Sequence, residues 1–181
     1  MSRIHEYIDF IHIREKAWSK EQQVYTITGL IGQGVPREKI IINGSPQIAA
    51  KTGIGGVQIP SDSLDVCVVK QQYPELKIGC SIHSRKEAVR REGEGADFIL
   101  YGHVFETDSK KGLSPRGLSN LQKVIQSVAI PVIAIGGITP SNTEQVFQRG
   151  AAGIAVLSGI LLQEQPVEAV EQYIKAMRRR E

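Results

Sequence analysis

The strongest constraint on the fold is a rhythm. Seven short runs rich in isoleucine and valine fall at about 8–14, 39–43, 56–60, 77–82, 97–101, 131–135 and 153–157. Amphipathic stretches such as 84–92, 117–128, 140–149 and 166–179 lie between and after them. Runs that are apolar almost throughout are buried on both faces, which predicts a parallel sheet covered by helices. Ser84 with Glu87 reads as a capping box, and Thr139-Pro140 as a cap with proline in the first turn. Strict alternation leaves a doubly wound open sheet or a (β/α) barrel. An open dinucleotide-binding sheet would place a glycine-rich turn directly after its first strand. Here "GLIGQGVP" (29–36) follows a helical stretch instead and reads as a helix end and turn.

The chain's last third favours the barrel. "PVIAIGGITP" is a buried strand, two glycines and a helix start, and "GIAVLSGI" repeats the arrangement some twenty residues on. In barrels the last two strand–loop units commonly hold a phosphate, with backbone N–H groups aimed at the anion and glycines allowing close approach. Gly136, Gly137, Ser158 and Gly159 are the residues so placed.

The count falls one short, because a barrel has eight strands and seven are visible. The predicted fold is a single TIM (β/α)-barrel domain spanning 1–181 that lacks its first βα unit. Either the opening unit is absent or the chain starts downstream of it. The gap is expected to be covered by homo-oligomerisation or left as a strand edge.

Bulk properties exclude several classes. A formal net charge of +3 over 181 residues is too small to argue for nucleic acid as a partner. Cys67 and Cys80 stand in no metal-binding spacing, which suits reduced thiols and a cytoplasmic location. No run is long enough for a signal peptide or a membrane span. The basic "RRR" at 178–180 reads as the solvated end of a final helix.

Chemistry in such a fold sits at the C-terminal strand ends. Alternation puts Phe10, His12 and Arg14 on one face; Asn43, Gln58, Ser81 and His83 follow at later strand ends. Each has a plain alternative. His12 is read as a hydrogen-bonded core histidine, His83 as a turn residue ahead of the Ser84 cap, and Asn43 as a turn former before Gly44. Lys110 with Lys111 reads as a solvated pair. Arg14 needs an anionic partner, whether a bound ligand, Glu15 or Glu106. His103 has the strongest case. It follows Gly102 at a strand end, is placed on the face of Ile99 and Tyr101, and opens onto a polar loop. Imidazole can take and return a proton near neutrality. No metal set and no nucleophile elbow accompany it, so no metal is expected. A lone acid–base group above a phosphate cradle suits proton transfer on a small phosphorylated molecule.

"FIHIREK", "NG" after a strand, "GCSIHS", "GHVFETDSKKG", "PVIAIGGITP" and "GIAVLSGI" together resemble the thiamin phosphate synthase superfamily, and within it the TenI branch of thiazole tautomerases. The synthases carry proline where His103 stands, and an aspartate that holds magnesium where Gly44 stands. Asp62 in "PSDS" is the one nearby carboxylate offered in compensation. The resemblance therefore implies an isomerase that aromatises a carboxythiazole phosphate in thiamin biosynthesis, a downhill process that needs no metal or redox cofactor. In this reading His103 moves a proton from a ring carbon to an exocyclic carbon. Gly136, Gly137, Ser158 and Gly159 hold the phosphate, while Arg14, Asn43, Ser81, Thr107 and Lys110 line the mouth. A synthase-like transferase is the runner-up, and a non-catalytic regulatory or ligand-binding protein is the third reading.

Overall fold

The computed structural model describes residues 4–61 and 63–178, the last of these by its backbone alone. Asp62 and all of the "RRR" run beyond Arg178 lie outside the described residues. The strands are β1 (Ile11–Ile13), β2 (Ile40–Asn43), β3 (Gly56–Ile59), β4 (Lys77–Ile82), β5 (Phe98–Gly102), β6 (Val132–Ile135) and β7 (Gly153–Ala155). The helices are α1 (Lys20–Gly32), α2 (Pro46–Thr52), α3 (Val66–Gln72), α4 (Arg85–Gly93), α5 (Gly117–Ile125), α6 (Thr143–Gln148), α7 (Ser158–Leu161) and α8 (Pro166–Arg178). All seven strands run parallel, each hydrogen-bonded to the next in chain order. The result is a curled, TIM-like α/β sheet, as the alternation predicts. Among the described residues β1 and β7 do not pair, so both are edges.

The pleat sorts the strand residues into two rows. One row faces the helices: Ile11, Ile42, Val57, Ile78, Cys80, Ile99, Tyr101 and Ala134 belong to a single core with Ile27, Ile48, Leu121 and Val146 of the helices. A fully buried side chain of this size contributes about 1.5–3 kcal/mol, which is why runs of isoleucine dominate the strands. The opposite row faces the lumen. Register places His12 with Ile41, Asn43 with Gln58, Gln58 with Gly79, Gly79 with Phe98, and Ser81 with Leu100. Polar groups are therefore concentrated on the lumen side of β1 to β4.

The floor is closed by the N-terminal segment. Ile4 is buried, and Lys39 Nζ donates to the carbonyls of His5 (2.7 Å) and Ile8 (2.8 Å). The Lys77 ammonium lies 4.9 Å from the centre of the Phe10 ring. These ties hold residues 8–10 off the sheet, so β1 is three residues long and not the seven expected.

Two helix starts differ in detail from expectation. Ser84 Oγ accepts from the Glu87 amide, but Glu87 Oε2 accepts from the amide of His83 (2.6 Å) and not from that of Ser84. Thr139-Pro140 forms a turn, with α6 starting at Thr143 after its N-cap Asn142. The reciprocal capping box is at Ser19 and Gln22, opening α1. Both cysteines are free, Cys67 exposed and Cys80 buried. Among the described residues no helix is long and apolar enough to cross a membrane.

Candidate functional site

Polar side chains cluster at the strand ends and on the lumen row of β1 to β4. At the β1 and β2 ends, Arg14, Glu15, Lys16, Gln23 and Asn43 line a cleft of about 110 Å³. Arg14 is exposed and makes no ion pair or hydrogen bond among the described residues, so Glu15 and Glu106 are not its partners. Asn43 Nδ2 reaches the Gln58 carbonyl at 3.4 Å, and the Gly44 amide donates to the same oxygen at 2.8 Å. Both contacts tie the end of β2 to the neighbouring strand β3.

Gln58 is 2% exposed, and its amide nitrogen donates to Ser81 Oγ at 3.0 Å. Its Oε1 is buried without a partner. An unpaired buried amide oxygen costs about 1–3 kcal/mol. Gly79 makes the space for it: a Cβ there would overlap Phe98 Cζ and Gln58 Oε1.

His12 shares the lumen. Its ring stands edge-on to Phe98, with centroids 6.1 Å apart and planes at 74°. The sequence reading made it a hydrogen-bonded core histidine. Instead it has no hydrogen bond among the described residues and is reached by solvent from the open lumen. Protein atoms crowd it from the other sides, and this desolvation lowers its pKa to about 4. His12 is therefore neutral at pH 7.

His103 is only half buried, but its setting differs from expectation. Ile99 and Tyr101 face the helices, whereas Gly102 occupies the lumen row. The Gly102–His103 peptide is cis. His103 Nε2 meets the carbonyl of Leu113 at 3.2 Å, so the ring is tied to the β5–α5 loop. Its backbone lies against the β6 turn, since a Cβ on Gly136 would stand 2.7 Å from His103 Cα. The two strand ends are zipped by Val104 N to Ile135 O and Phe105 N to Gly136 O, each 3.0 Å. Gly137, at φ +65°, lets its turn cross the Phe105–Glu106 backbone, where any side chain would clash.

The other expected residues are spread along the rim. Thr107 opens a 3-10 turn over Asp108–Lys110, and Lys110 is exposed. Lys111 pairs with Asp108 at 3.3 Å, so the Lys110–Lys111 pair is only partly free. Ser158 begins the four-residue helix α7. Gly159 packs beneath Tyr173 of α8, whose hydroxyl donates to the Ile138 carbonyl at 3.0 Å. That packing leaves no room for a side chain at Gly159. Sequence reasoning missed Arg116, whose side chain donates to the carbonyls of His83 (2.8 Å) and Gly102 (3.0 Å). Nothing in its "SPRG" context distinguishes it from a surface arginine.

Among the described residues no group of three histidine, cysteine or carboxylate side chains could hold a metal ion. The donors at the β2 to β4 ends (Asn43, Gln58, Ser81) are neutral, and Gly44 offers no side chain. Among the described residues these donors alone do not make up a magnesium site; Asp62 lies outside them.

Comparison with known proteins places this geometry. The sequence profile of the TMP-TENI family, thiamine monophosphate synthase, matches residues 2–160. The chain belongs to the thiamine monophosphate synthase family. A thiamine-phosphate synthase of Chlorobium luteolum is 41% identical over 139 residues, 76% of this chain and 66% of that protein. One of Pyrococcus furiosus is 38% identical over 128 residues, 71% of this chain and 62% of that protein. The chain thus spans less than two thirds of the length of these relatives. A solved thiamine phosphate pyrophosphorylase of Pyrococcus furiosus superposes with a TM-score of 0.87 at 30% identity, covering 98% of this chain and 87% of that one.

These matches confirm the superfamily and correct its narrowing. The expected thiazole tautomerase activity, and with it the isomerase class, is overturned by relatives named as synthases. The narrowing leaned on two positions, His103 and Gly44, while the likeness of the rest of the chain runs to synthases. The runner-up reading fits better.

Proposed function

We propose that this chain carries the lumen and strand-end site of a transferase of the thiamine-phosphate synthase type. The observation that supports it most is the 41% identity to such a synthase across 76% of the chain. The site chemistry agrees with it. Thiamine phosphate contains a bond between the methylene of an aminopyrimidine and the nitrogen of a phosphorylated thiazole. To form it, the thiazole nitrogen attacks the methylene while the carbon–oxygen bond to pyrophosphate breaks and pyrophosphate leaves with the electron pair. Such a reaction needs positioning and charge neutralisation more than proton transfer.

The residues divide accordingly. Arg14 and Lys110 would meet the pyrophosphate oxygens, with Asn43, Ser81 and Thr107 as neutral donors around them. Gly136, Gly137, Ser158 and Gly159 would hold the thiazole phosphate through main-chain and hydroxyl donors.

The test is direct. The purified protein is mixed with the aminopyrimidine methyl pyrophosphate and the thiazole ethyl phosphate in magnesium-containing buffer, and thiamine phosphate and pyrophosphate are quantified. Equimolar appearance of both is expected. A folded protein that releases neither overturns the reading.

A further inference from the structure

Three carbonyl oxygens at the ends of β4 and β5 converge on one residue of the next helix start. Arg116 Nε donates to Gly102 O at 3.0 Å, and its terminal nitrogen donates to His83 O at 2.8 Å. Its own amide donates to His103 O at 2.9 Å, and the amide of Gly117 follows onto Val104 O at 3.0 Å. Arg116 is the N-cap of α5, yet its side chain caps nothing in that helix. It is spent entirely on the ends of two strands.

The imidazoles on either side of this knot are each bonded to a carbonyl oxygen. His83 Nδ1 lies 3.0 Å from Gly102 O, the same oxygen that Arg116 Nε uses. His103 Nε2 lies 3.2 Å from Leu113 O. A carbonyl oxygen only accepts, so each of these ring nitrogens carries the proton. In a neutral imidazole the other nitrogen is then a bare acceptor. For His83 that nitrogen is Nε2; for His103 it is Nδ1. Among the described residues neither is bonded to protein. His83 is the exposed residue directly after β4, and its amide is anchored by Glu87 Oε2 at 2.6 Å.

We propose that Arg116 is a positioning residue that holds His83 and His103 in opposite tautomers, leaving Nε2 of His83 and Nδ1 of His103 as the two nitrogens a ligand meets. The guanidinium fixes the Gly102 carbonyl that orients His83, while the Arg116 amide fixes the residue that bears the second ring. His83 thereby joins the site, where sequence alone made it a turn residue. The ligand-facing half rests on the transferase reading above; the tautomer half does not.

The experiment reads tautomers directly. Long-range proton–nitrogen correlation spectra of protein labelled with ¹⁵N-histidine, recorded at alkaline pH, distinguish Nδ1–H from Nε2–H rings. In the wild type His83 is expected as Nδ1–H and His103 as Nε2–H. In R116K and R116Q the His83 ring is expected to lose its Nδ1–H signature and move to a mixture. The KM for the pyrophosphate substrate of these variants is expected to rise on the order of tenfold, with a smaller change in kcat. A wild-type His83 protonated on Nε2 overturns the proposal even if no variant folds. Folded R116K and R116Q proteins with an unchanged His83 pattern overturn it equally. Absence of transferase activity would sink the functional reading while leaving the tautomer result standing.

Discussion

His12 and Phe98 meet edge to face across the lumen, 6.1 Å between ring centres, one from the first strand and the other from the fifth. The contact places an imidazole where its charged form is poorly hydrated, and burial lowers its pKa to about 4. An unfolded chain would protonate the same ring at about 6.5. Between these values the unfolded state binds more protons, so stability is complete above about pH 6.5 and falls as pH drops towards 4. Histidine NMR titration should give a midpoint near 4 for His12. Urea melts of H12N should lose part of the acid-side slope; an identical slope would contradict this account.

Gly79 is expected to tolerate no side chain. A methyl there would overlap the Phe98 ring and the Gln58 amide oxygen. Overpacking of this kind costs about 1–3 kcal/mol. G79A should show that loss in denaturant melts, and G79A combined with F98L should recover part of it, because the two sites share one volume.

Gln58 carries an unpaired buried oxygen that packing alone does not require. Replacing it with methionine removes that oxygen along with the bond to Ser81. The folded state should change by no more than about 1 kcal/mol, in either direction. Transferase activity should fall at least about tenfold if the oxygen serves substrate, by the usual worth of one such bond in a dry site. A stability loss well beyond that, with activity intact, would make Gln58 a structural residue only.

Arg91 tests a different part of the frame. It is 1% exposed, and its guanidinium donates to the carbonyls of Pro60, Ser61 and Leu64 while pairing with Glu94 at 2.9 Å. R91A would strand those oxygens under the loop after β3. A loss of roughly 3–5 kcal/mol is expected, as for a broken buried pair, read from thermal or urea unfolding. A change below about 1 kcal/mol would show that water replaces the guanidinium there.

The strands were legible because burial on both faces leaves a run of Ile and Val that no helix surface reproduces, as in Ile40–Ile42. The site was legible only in part. Arg14, Asn43 and Ser81 lie at or beside strand ends, where position in the sequence placed them. The lumen role of Gln58 became visible only once Gly79 and Phe98 were seen beside it, three strands brought together by register. His103 was placed by alternation, which fails beyond Gly102 because the chain leaves the sheet there. Arg116 was invisible, since its partners are main-chain oxygens, which every residue has. The activity was misjudged by weighting His103 and Gly44 above the rest of the chain.

One consequence follows from the two unpaired margins of the sheet. With no rung joining Ile11–Ile13 to Gly153–Ala155, the interior is a trough and not a well. Among the described residues the exposed His12 ring, in the middle of β1, therefore borders an unpaired margin.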